Sequence, residues 1–466
     1  MTRDAKSIIN GLWERLWAGG IANPLTAIEQ ISYFIFLKRL DQLERKARGK
    51  RKRAIFAAHP DLRWDSLKAQ SDREKLRLLE RELIPFLAEA AAGPEFRRAM
   101  KDAAFVIPKA SLVGDCMKAV DELGLGSHDL DFQGDIYEEL LRQLQLSGRN
   151  GQFRTPRHVI RAIVDLVEPE EDDVVCDPAA GTAGFLVEAH KRLRDPRDEN
   201  FLAFDFDASM VRLGIMNMVL HGIEEPRMRY TDALSSSFAW PAVDVVLANP
   251  PFTGSLDRED KHPDLDLPTN RTELLFLELC RRMLRPGGQA AIIVPEGVLF
   301  GGSKAHVEVR RRWLRQGVQA VVSLPPGVFR PYTNVKTAIL LGGGSPRTEG
   351  VWFCPIASDG FTLDDRRDPL PGDNDLAHMA AAVRSRLRGR LPRKKAARKL
   401  AESMWAASIA EIEAKEWSLA PATYQQLGEF QASEENPFEL LDQIGKLEAE
   451  FRGEVDRARA ILEEQA

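Results

Sequence analysis

The chain has 466 residues, of which 44% are hydrophobic and 29% are charged, a composition typical of a soluble globular protein. At about 150 residues per domain, this length predicts about three domains. The net charge of −5 argues against a surface that is basic overall, although local basic patches remain compatible with it. The richest apolar stretch, 290–300, is interrupted by Pro295 and Glu296, so we expect no membrane span.

Two further classes of protein are disfavoured. The first residues, MTRDAKSIIN, contain no apolar segment of the secretory kind, so we expect no export signal. The four cysteines are scattered, without a CxxC pair or a histidine at ligand spacing. We therefore expect no metal centre and no disulfide framework, and a reducing, cytoplasmic location.

The first 145 residues show the period of a helix. Apolar residues recur at spacings of three and four between positions 12 and 40, and further periodic stretches follow at 75–90 and 134–146. This pattern predicts an N-terminal helical domain over 1–145. The basic run 45–53 fits a solvated loop between helices, with contact to a DNA phosphate backbone as the alternative.

From about residue 150, short β-branched runs alternate with helical pieces. The runs are 174–176, 201–204, 243–247, 290–294, 320–323 and 337–341. Their alternation with helices predicts an α/β, Rossmann-like domain over 146–365, with a parallel sheet and helices on both faces.

The last part of the chain, 366–466, is polar. Nine of the sixteen residues in 384–399 are basic, and an amphipathic pattern after Pro437 predicts a terminal helix. We expect a basic linker followed by a helical tail that packs on its own protein or against a helix of a partner.

A turn rich in small residues follows the first predicted strand. It reads Asp-Pro-Ala-Ala-Gly-Thr-Ala-Gly over 177–184, and small residues at a strand-to-helix turn let the backbone approach a ligand closely. The GxGxxG spacing of dinucleotide-binding turns is incomplete, and the Lys-Ser/Thr pair of a P-loop is absent. Asp205 ends the next predicted strand, where an acidic residue accepts hydrogen bonds from ribose hydroxyls; the alternative is an exposed turn carboxylate.

The tetrapeptide Asn249-Pro250-Pro251-Phe252 follows the strand predicted over 243–247. Neither proline can donate in a sheet, so the pair predicts a rigid turn at the carboxyl end of the strand, or, taken alone, an ordinary turn. The side-chain oxygen of Asn249 and the carbonyl of Pro250 can both accept from an exocyclic amine, and Phe252 can stack on the ring that bears it. An amine held in this way attacks an electrophile such as a methyl sulfonium through positioning rather than through a strong base.

These motifs resemble those of amino-group methyltransferases that use S-adenosylmethionine, in particular the modification subunit of type I restriction–modification systems, a DNA adenine-N6 methyltransferase. The segment 151–157 is also similar to that family, with Arg154 where an aromatic residue is usual. The resemblance implies cofactor contacts from Gln152, Phe153, Arg154, Thr155, Pro156, Arg157, Asp177, Gly181, Thr182, Ala183, Gly184, Asp205 and Asp232. It implies catalysis by Asn249, Pro250, Pro251 and Phe252 on an adenine flipped out of the duplex.

The resemblance also implies partners: double-stranded DNA, a specificity subunit that reads the base sequence, a second copy of this chain, and in coupled systems a restriction or translocase subunit. No base-reading domain is evident between the predicted sheet and the polar tail, which fits a separate specificity subunit. The charged segment 253–272 predicts a mobile loop over the active site, or a disordered insertion. Two other functions stay open, namely methylation of a protein glutamine or an RNA amine, and a methyltransferase-like scaffold without catalysis.

Overall fold

The computed structural model describes residues 3–46, 55–90, 93–124, 136–141, 155–343 and 350–425. The chain divides into two units, Met1–Thr423 and Tyr424–Ala466, and every helix and strand described here belongs to the first. The terminal helix predicted after Pro437 lies outside the described residues.

A helical region precedes the sheet, as the sequence predicts. Its helices are α1 (Arg3–Ala18), α2 (Pro24–Lys46), α3 (Trp64–Lys68), α4 (Asp72–Ala90), α5 (Pro94–Ala99), α6 (Ala110–Glu122) and α7 (136–141). The apolar residues at helical spacing are buried in the core, among them Leu12, Leu16, Ile28, Ile31 and Phe34.

The basic run 45–53 is described only at its first two residues. Arg45 forms ion pairs with Asp41 and Asp65 at 2.7 and 2.9 Å. The positions 47–53, on which the two interpretations of the run depend, lie outside the described residues.

Within the described part of the chain, nine strands form one sheet in the order β3-β2-β1-β4-β5-β7-β6-β8-β9. They are β1 (Val175–Asp177), β2 (Phe201–Asp205), β3 (Arg227–Tyr230), β4 (Val243–Ala248), β5 (Leu284–Pro295), β6 (Val318–Ser323), β7 (Thr337–Gly343), β8 (Gly350–Pro355) and β9 (Trp405–Ser408). The six strands predicted from the sequence correspond to β1, β2, β4, β5, β6 and β7, and the α/β fold class is confirmed.

The sheet is mixed, so the parallel arrangement predicted from the sequence holds for only part of it. Strands β1 to β5 pair in parallel, but β7 runs antiparallel to both β5 and β6, and β9 runs antiparallel to β8. Since β7 is buried along its whole length, its apolar run is the same for either direction. The connection between β6 and β7 sets the direction of β7. Residues 324–336 form no crossover helix, so the chain returns antiparallel to β6.

Helices connect and flank the strands. They are α8 (Arg157–Val167), α9 (Gly184–Arg192), α10 (Ala208–Leu220), α11 (Thr272–Met283), α12 (Glu296–Phe300), α13 (Lys304–Gln316), α14 (Leu376–Leu387), α15 (Lys395–Glu402) and α16 (Ile409–Ala414). Strand β1 lies between β2 and β4, so the chain order reverses there. Open α/β sheets bind ligands at such a switch point, beyond the carboxyl ends of the strands.

The chain continues to build the same sheet beyond residue 365. Helix α14 packs against α8, and β9 pairs with β8. The basic run 384–399 spans the end of α14, a loop and the start of α15. The boundaries of the three expected domains, at 145/146 and 365/366, stay predictions.

Candidate active site

A cavity of about 210 Å³ opens at the carboxyl ends of β1, β2 and β4. The residues predicted for the site that line it are Thr155, Asp177, Gly181, Thr182, Gly184, Asp205, Asp232, Asn249, Pro250 and Pro251. The cavity therefore joins the small-residue turn, the acidic strand end and the Asn-Pro-Pro turn in one place.

The turn after β1 holds unusual backbone conformations. Gly181 has a φ of +52°, and a Cβ built on it would meet no atom within 4 Å, so the space beside it is open to a ligand. Ala183 also has a positive φ, 60°, at the N-cap of α9, and is fully buried rather than exposed to the cavity. A left-handed conformation costs an L residue about 1 kcal/mol, so the turn holds strain at the start of α9.

The Asp205 carboxylate joins this turn to the end of β2. Its Oδ2 accepts a hydrogen bond from the Gly181 N–H at 2.8 Å, and its Oδ1 accepts from the Asp207 N–H at 2.9 Å. Burial raises the pKa of Asp205 to about 6, although the N–H groups of Asp207 and Gly181 act in the opposite direction. Each carboxylate oxygen has a further lone pair, so Asp205 can also accept from a ligand hydroxyl.

Asp177 shapes the turn from the end of β1. Burial raises the pKa of Asp177 to about 8; the Ala179 N–H that its Oδ1 accepts at 3.0 Å lowers it, and the nearby Asp205 charge raises it. The carboxyl is therefore largely protonated at neutral pH. It orders the turn through a hydrogen bond rather than through its charge.

Helix α10 supports the same turn through Asn217. This buried amide donates from Nδ2 to the Thr182 carbonyl at 2.8 Å. This contact joins residues 35 apart in the chain, so a local sequence pattern does not predict it. Gly214 permits the close packing of α10, since a Cβ there would lie 2.5 Å from Met228 Sδ and 3.1 Å from the Gly181 carbonyl oxygen.

The Asn249 amide is held by a residue distant in sequence. Its Nδ2 donates to the Thr155 hydroxyl oxygen at 2.9 Å. Its Oδ1 is buried and has no hydrogen-bond partner among the described residues. Leaving a buried acceptor without a partner costs free energy. Since Asn249 lines the cavity, this oxygen is available to a hydrogen-bond donor on a ligand.

Phe252 does not line this cavity. The Phe252 side chain is 5% exposed, and its ring lies edge to face with that of Phe329, with the centroids 5.7 Å apart. Aromatic pairs favour this geometry, so Phe329 helps to fix the orientation of the Phe252 ring.

The predicted cofactor segment 152–157 is described from Thr155 onward, and Gln152, Phe153 and Arg154 lie outside the described residues. Pro156 is the N-cap of α8. Arg157 lies 3.8 Å from the Glu188 carboxylate and, like Pro156, does not line the cavity. A cofactor contact by either residue stays a prediction.

Some lining residues were missed from the sequence. Phe206, which directly follows Asp205, is 68% exposed and lines the cavity, and an aromatic residue beside an acidic strand end was a local signal for it. Met210 and Phe276 also line the cavity, but only the packing of α10 and α11 brings them there. Asp232 orders its own turn by accepting the Leu234 N–H at 2.9 Å.

The segment 253–272 is packed, in contrast to the mobile loop that its charged composition predicts. Leu265 and Leu267 within it are at most 1% exposed. The backbone N–H of His262 donates to the Leu234 carbonyl at 2.8 Å. The centroid of the His262 ring lies 3.9 Å from that of the Trp240 ring. Two buried leucines among charged neighbours therefore anchor the segment.

Within the described ranges, no group of three or more His, Cys, Asp and Glu side chains is placed to bind a metal ion. Burial raises the pKa of Cys176 well above its ordinary value, which disfavours a reactive thiolate. None of the helices described between residues 3 and 425 combines the length and apolarity needed to cross a membrane.

Two sequence profiles match the chain. The profile described as N-6 DNA Methylase matches residues 128–433, more than half of the chain, and the HsdM N-terminal domain profile matches residues 5–119. The chain belongs to the N-6 DNA methylase family. It is an adenine-N6 DNA methyltransferase of the type I modification-subunit kind, and this family uses S-adenosylmethionine.

Individual relatives agree with this assignment. The Escherichia coli type I restriction enzyme EcoEI methylase subunit is 30% identical over 365 residues, which cover 72% of this chain and 74% of that protein. The StySPI methylase subunit of Salmonella potsdam is 31% identical over 269 residues, which cover 52% of this chain and 50% of that protein.

Solved structures agree as well. A chain from a study of complex assembly and conformational transition of the type I R-M system has a TM-score of 0.72 and 27% identity, with 99% of both chains covered. The type I methyltransferase subunit of Streptococcus thermophilus has a TM-score of 0.69 at 20% identity, covering 90% of this chain and 99% of that one, and shows the fold alone. The predicted family and enzyme class are confirmed.

Proposed function

We propose that this chain methylates the N6 amino group of a flipped-out adenine at the cavity, with Asn249 and Pro250 as the acceptors of that amino group. The observation that carries the proposal is the buried Asn249 Oδ1, which has no hydrogen-bond partner in the described part of the chain. It lines the same cavity as the Gly181 turn and Asp205. A donor from the target base would complete the hydrogen bonding of this oxygen.

The cavity has the features that S-adenosylmethionine requires. The open space beside Gly181 admits a ligand against the backbone, and the first residue of α9, Gly184, lines the cavity. Asp205 has acceptor capacity left for the ribose hydroxyls of the cofactor. The exposed ring of Phe206 offers a face to the adenine of the cofactor, and Asp232 lines the same cavity. We assign Thr155 and the turn 181–184 to the methionine end. When bound, S-adenosylmethionine supplies an electrophilic methyl group on a sulfonium sulfur.

The residues of the Asn-Pro-Pro-Phe turn would orient the attacking nitrogen. One amine N–H donates to Asn249 Oδ1 and the other to the Pro250 carbonyl, which draws the nitrogen lone pair out of conjugation with the ring. The two prolines keep both acceptors in fixed positions. After transfer, the nitrogen loses a proton to solvent, since the neutral amide of Asn249 cannot take it. The contribution of the protein is therefore orientation and electrostatics.

The target adenine would leave the DNA duplex, because a stacked base hides its amino group. We assign Phe252, which lies outside the lining of the cavity described above, as the aromatic residue that stacks on the extruded ring. Its edge-to-face contact with Phe329 supports this role by holding the Phe252 ring in place. Stacking of the base on the fixed Phe252 ring would offset part of the free energy that base flipping costs.

The proposed partners are double-stranded DNA and a specificity subunit that reads the base sequence. In addition, we propose a second copy of this chain and, in a coupled system, a restriction or translocase subunit. The described residues after β7 extend the sheet rather than forming a base-reading domain. The membership of the chain in the N-6 DNA methylase family favours DNA over a protein glutamine, an RNA amine or a silent scaffold. Its cytoplasmic location stays a prediction.

A methylation map tests the function. The chain is expressed with the products of its neighbouring genes in a host without DNA methylation, and the DNA is sequenced by a method sensitive to N6-methyladenine. We expect modified adenines in one bipartite motif, and their loss with Asn249→Ala. Full modification by Asn249→Ala would refute the assigned role of Asn249. Unmodified DNA from a wild-type complex that binds S-adenosylmethionine would favour another amine substrate.

A further inference from the structure

We propose that residues 359–367, which follow β8, position the catalytic amide of Asn249 through His158 and Thr155. The inference rests on the role of Asn249 given above. Neither Asp359 nor Arg367 lines the cavity, so both would be positioning residues. The path from Asp359 to Asn249 consists of two contacts joined by the start of helix α8.

The first contact fixes the amide. An asparagine side chain rotates about its last torsion with little preference between broad wells, so a buried amide needs a partner to define its plane. Thr155 is that partner, since its hydroxyl oxygen accepts the Asn249 Nδ2 hydrogen at 2.9 Å. This bond leaves Oδ1 without a partner among the described residues. The position of Thr155 thus sets the position of Asn249 Oδ1, the acceptor for the target amine.

The second contact fixes the start of α8, three residues beyond Thr155. His158 Nε2 lies 2.9 Å from Asp359 Oδ2, and Arg367 donates to the same carboxylate. The ring of Phe361 stacks on that of His158, with centroids 4.3 Å apart and planes tilted by 30°. Asp359 is 2% exposed, and a carboxylate removed from water is stable only when it is paired. The group therefore has one well-defined arrangement.

The far end of α8 is held by the same C-terminal part of the chain. Arg384, on α14, forms an ion pair with Glu168 at 2.9 Å and donates to the Asp165 carbonyl. Helix α14 also packs along α8. Because both ends of α8 are held, a shift of the helix along its axis would break one of these contacts. Such a shift would also displace Thr155, which lies two residues before the helix.

The predicted consequence is a loss of methyl-transfer rate when the path is broken. A displacement of about 1 Å in a reacting group can reduce a rate by about 10²-fold, even when the substitution lies far from the chemistry. Thr155→Val removes the acceptor for Asn249 and keeps the side-chain shape, whereas Thr155→Ser keeps the hydroxyl. We expect Thr155→Val to lower kcat by about 10²-fold and Thr155→Ser to restore most of it.

A double-mutant cycle tests whether Asp359 acts through Thr155. It uses the modification complex with its DNA target, single-turnover methylation, and the single and combined variants Thr155→Val and Asp359→Asn. We expect Asp359→Asn alone to lower the rate, and the combined variant to be no slower than Thr155→Val alone, because the two changes break one path. If the losses multiply instead, Asp359 acts independently of Thr155 and the proposal is wrong.

The chain offers a matched control. Asp373 pairs with His378 in the same part of the chain, but the Asp373 side chain is 63% exposed, whereas that of Asp359 is buried. Asp373→Asn makes the same chemical change and should leave the rate unaltered; an equal loss would overturn the proposal. If Asp359→Asn does not fold, His158→Phe replaces it in the cycle, because it keeps an aromatic ring beside Phe361 and removes the Nε2 that contacts Asp359, together with Nδ1.

Failure of this inference can be told apart from failure of the proposed function. If Asn249→Ala is inactive and Thr155→Val is as fast as the wild type, the amide is catalytic but is not positioned by Thr155. If Asn249→Ala is itself fully active, the proposed role of Asn249 fails first.

Discussion

On the cofactor side of the cavity, Asp177 and Asp205 hold backbone N–H groups that lie 2 to 24 residues away in the chain. On the catalytic side, Asn249 is held by Thr155, 94 residues away, and the start of α8 is held by Asp359, 201 residues from His158. On the first side, the contacts of these two carboxylates therefore stay within residues 177–207, with added support from Asn217, 35 residues from Thr182. The second is an assembly of three distant segments, whose geometry depends on the packing of the whole sheet.

The difference implies that the two sides fail in different ways. A substitution in the turn 177–184 should weaken cofactor binding even when the Asn249 amide keeps its position. A change at Asp359 or His158, which do not line the cavity, should slow methyl transfer while the cofactor still binds.

The largest effect on the cofactor side is expected from Asp205→Ala. The substitution removes the acceptor of the Gly181 and Asp207 N–H groups and of the ribose hydroxyls. Hydrogen bonds to a charged group contribute about 1.5–3 kcal/mol each, so we expect the Kd for S-adenosylmethionine, measured by calorimetry, to rise by at least about 10²-fold. Asp205→Asn, which keeps the shape and one acceptor, should lose less. Wild-type affinity in Asp205→Ala would contradict the assignment.

The pH dependence of binding is a smaller effect on the same residue. The raised pKa of Asp205, about 6, means that the free protein takes up a proton on this carboxyl as the pH falls through that value. The protonated carboxyl is a poorer acceptor for ribose hydroxyls, so affinity for S-adenosylmethionine should fall below pH 6, by at most about tenfold per pH unit. The contribution of the Asp205 carboxyl to this affinity should be constant above pH 7. Calorimetry across this range should give a flat profile for Asp205→Asn; an equally steep profile would assign the titration to another group.

The smallest expected effect concerns strain in the turn. Ala183 has a φ of 60°, which glycine adopts without cost, so Ala183→Gly should raise the free energy of unfolding by at most about 1 kcal/mol. Ala180→Gly in the same turn is the control, because Ala180 has no positive φ and the change should only destabilise. Denaturant unfolding measures both. A loss of stability in both variants would mean that Ala183 is not strained.

The same contrast explains how much the sequence could predict. The turn 177–184, Asp205 and the Asn-Pro-Pro-Phe turn each follow a strand directly, so a local pattern located them, and the alternation of strands and helices predicted that they meet at one edge. The partners of Asn249 could not be found in this way, since no pattern links Thr155 or Asp359 to it. The direction of β7 was missed for a related reason, because a buried strand has the same composition in either direction.

The most direct test of the division between the two sides is to measure cofactor binding and methyl transfer on one preparation of Asn249→Ala. Calorimetry gives the Kd for S-adenosylmethionine, and a single turnover on the DNA target gives the transfer rate. We predict an unchanged Kd and a rate that is lower by about 10³-fold, as for removal of one oriented group in an active site. A rate near that of the wild type, or a loss of cofactor binding as large as the loss of rate, would contradict the account.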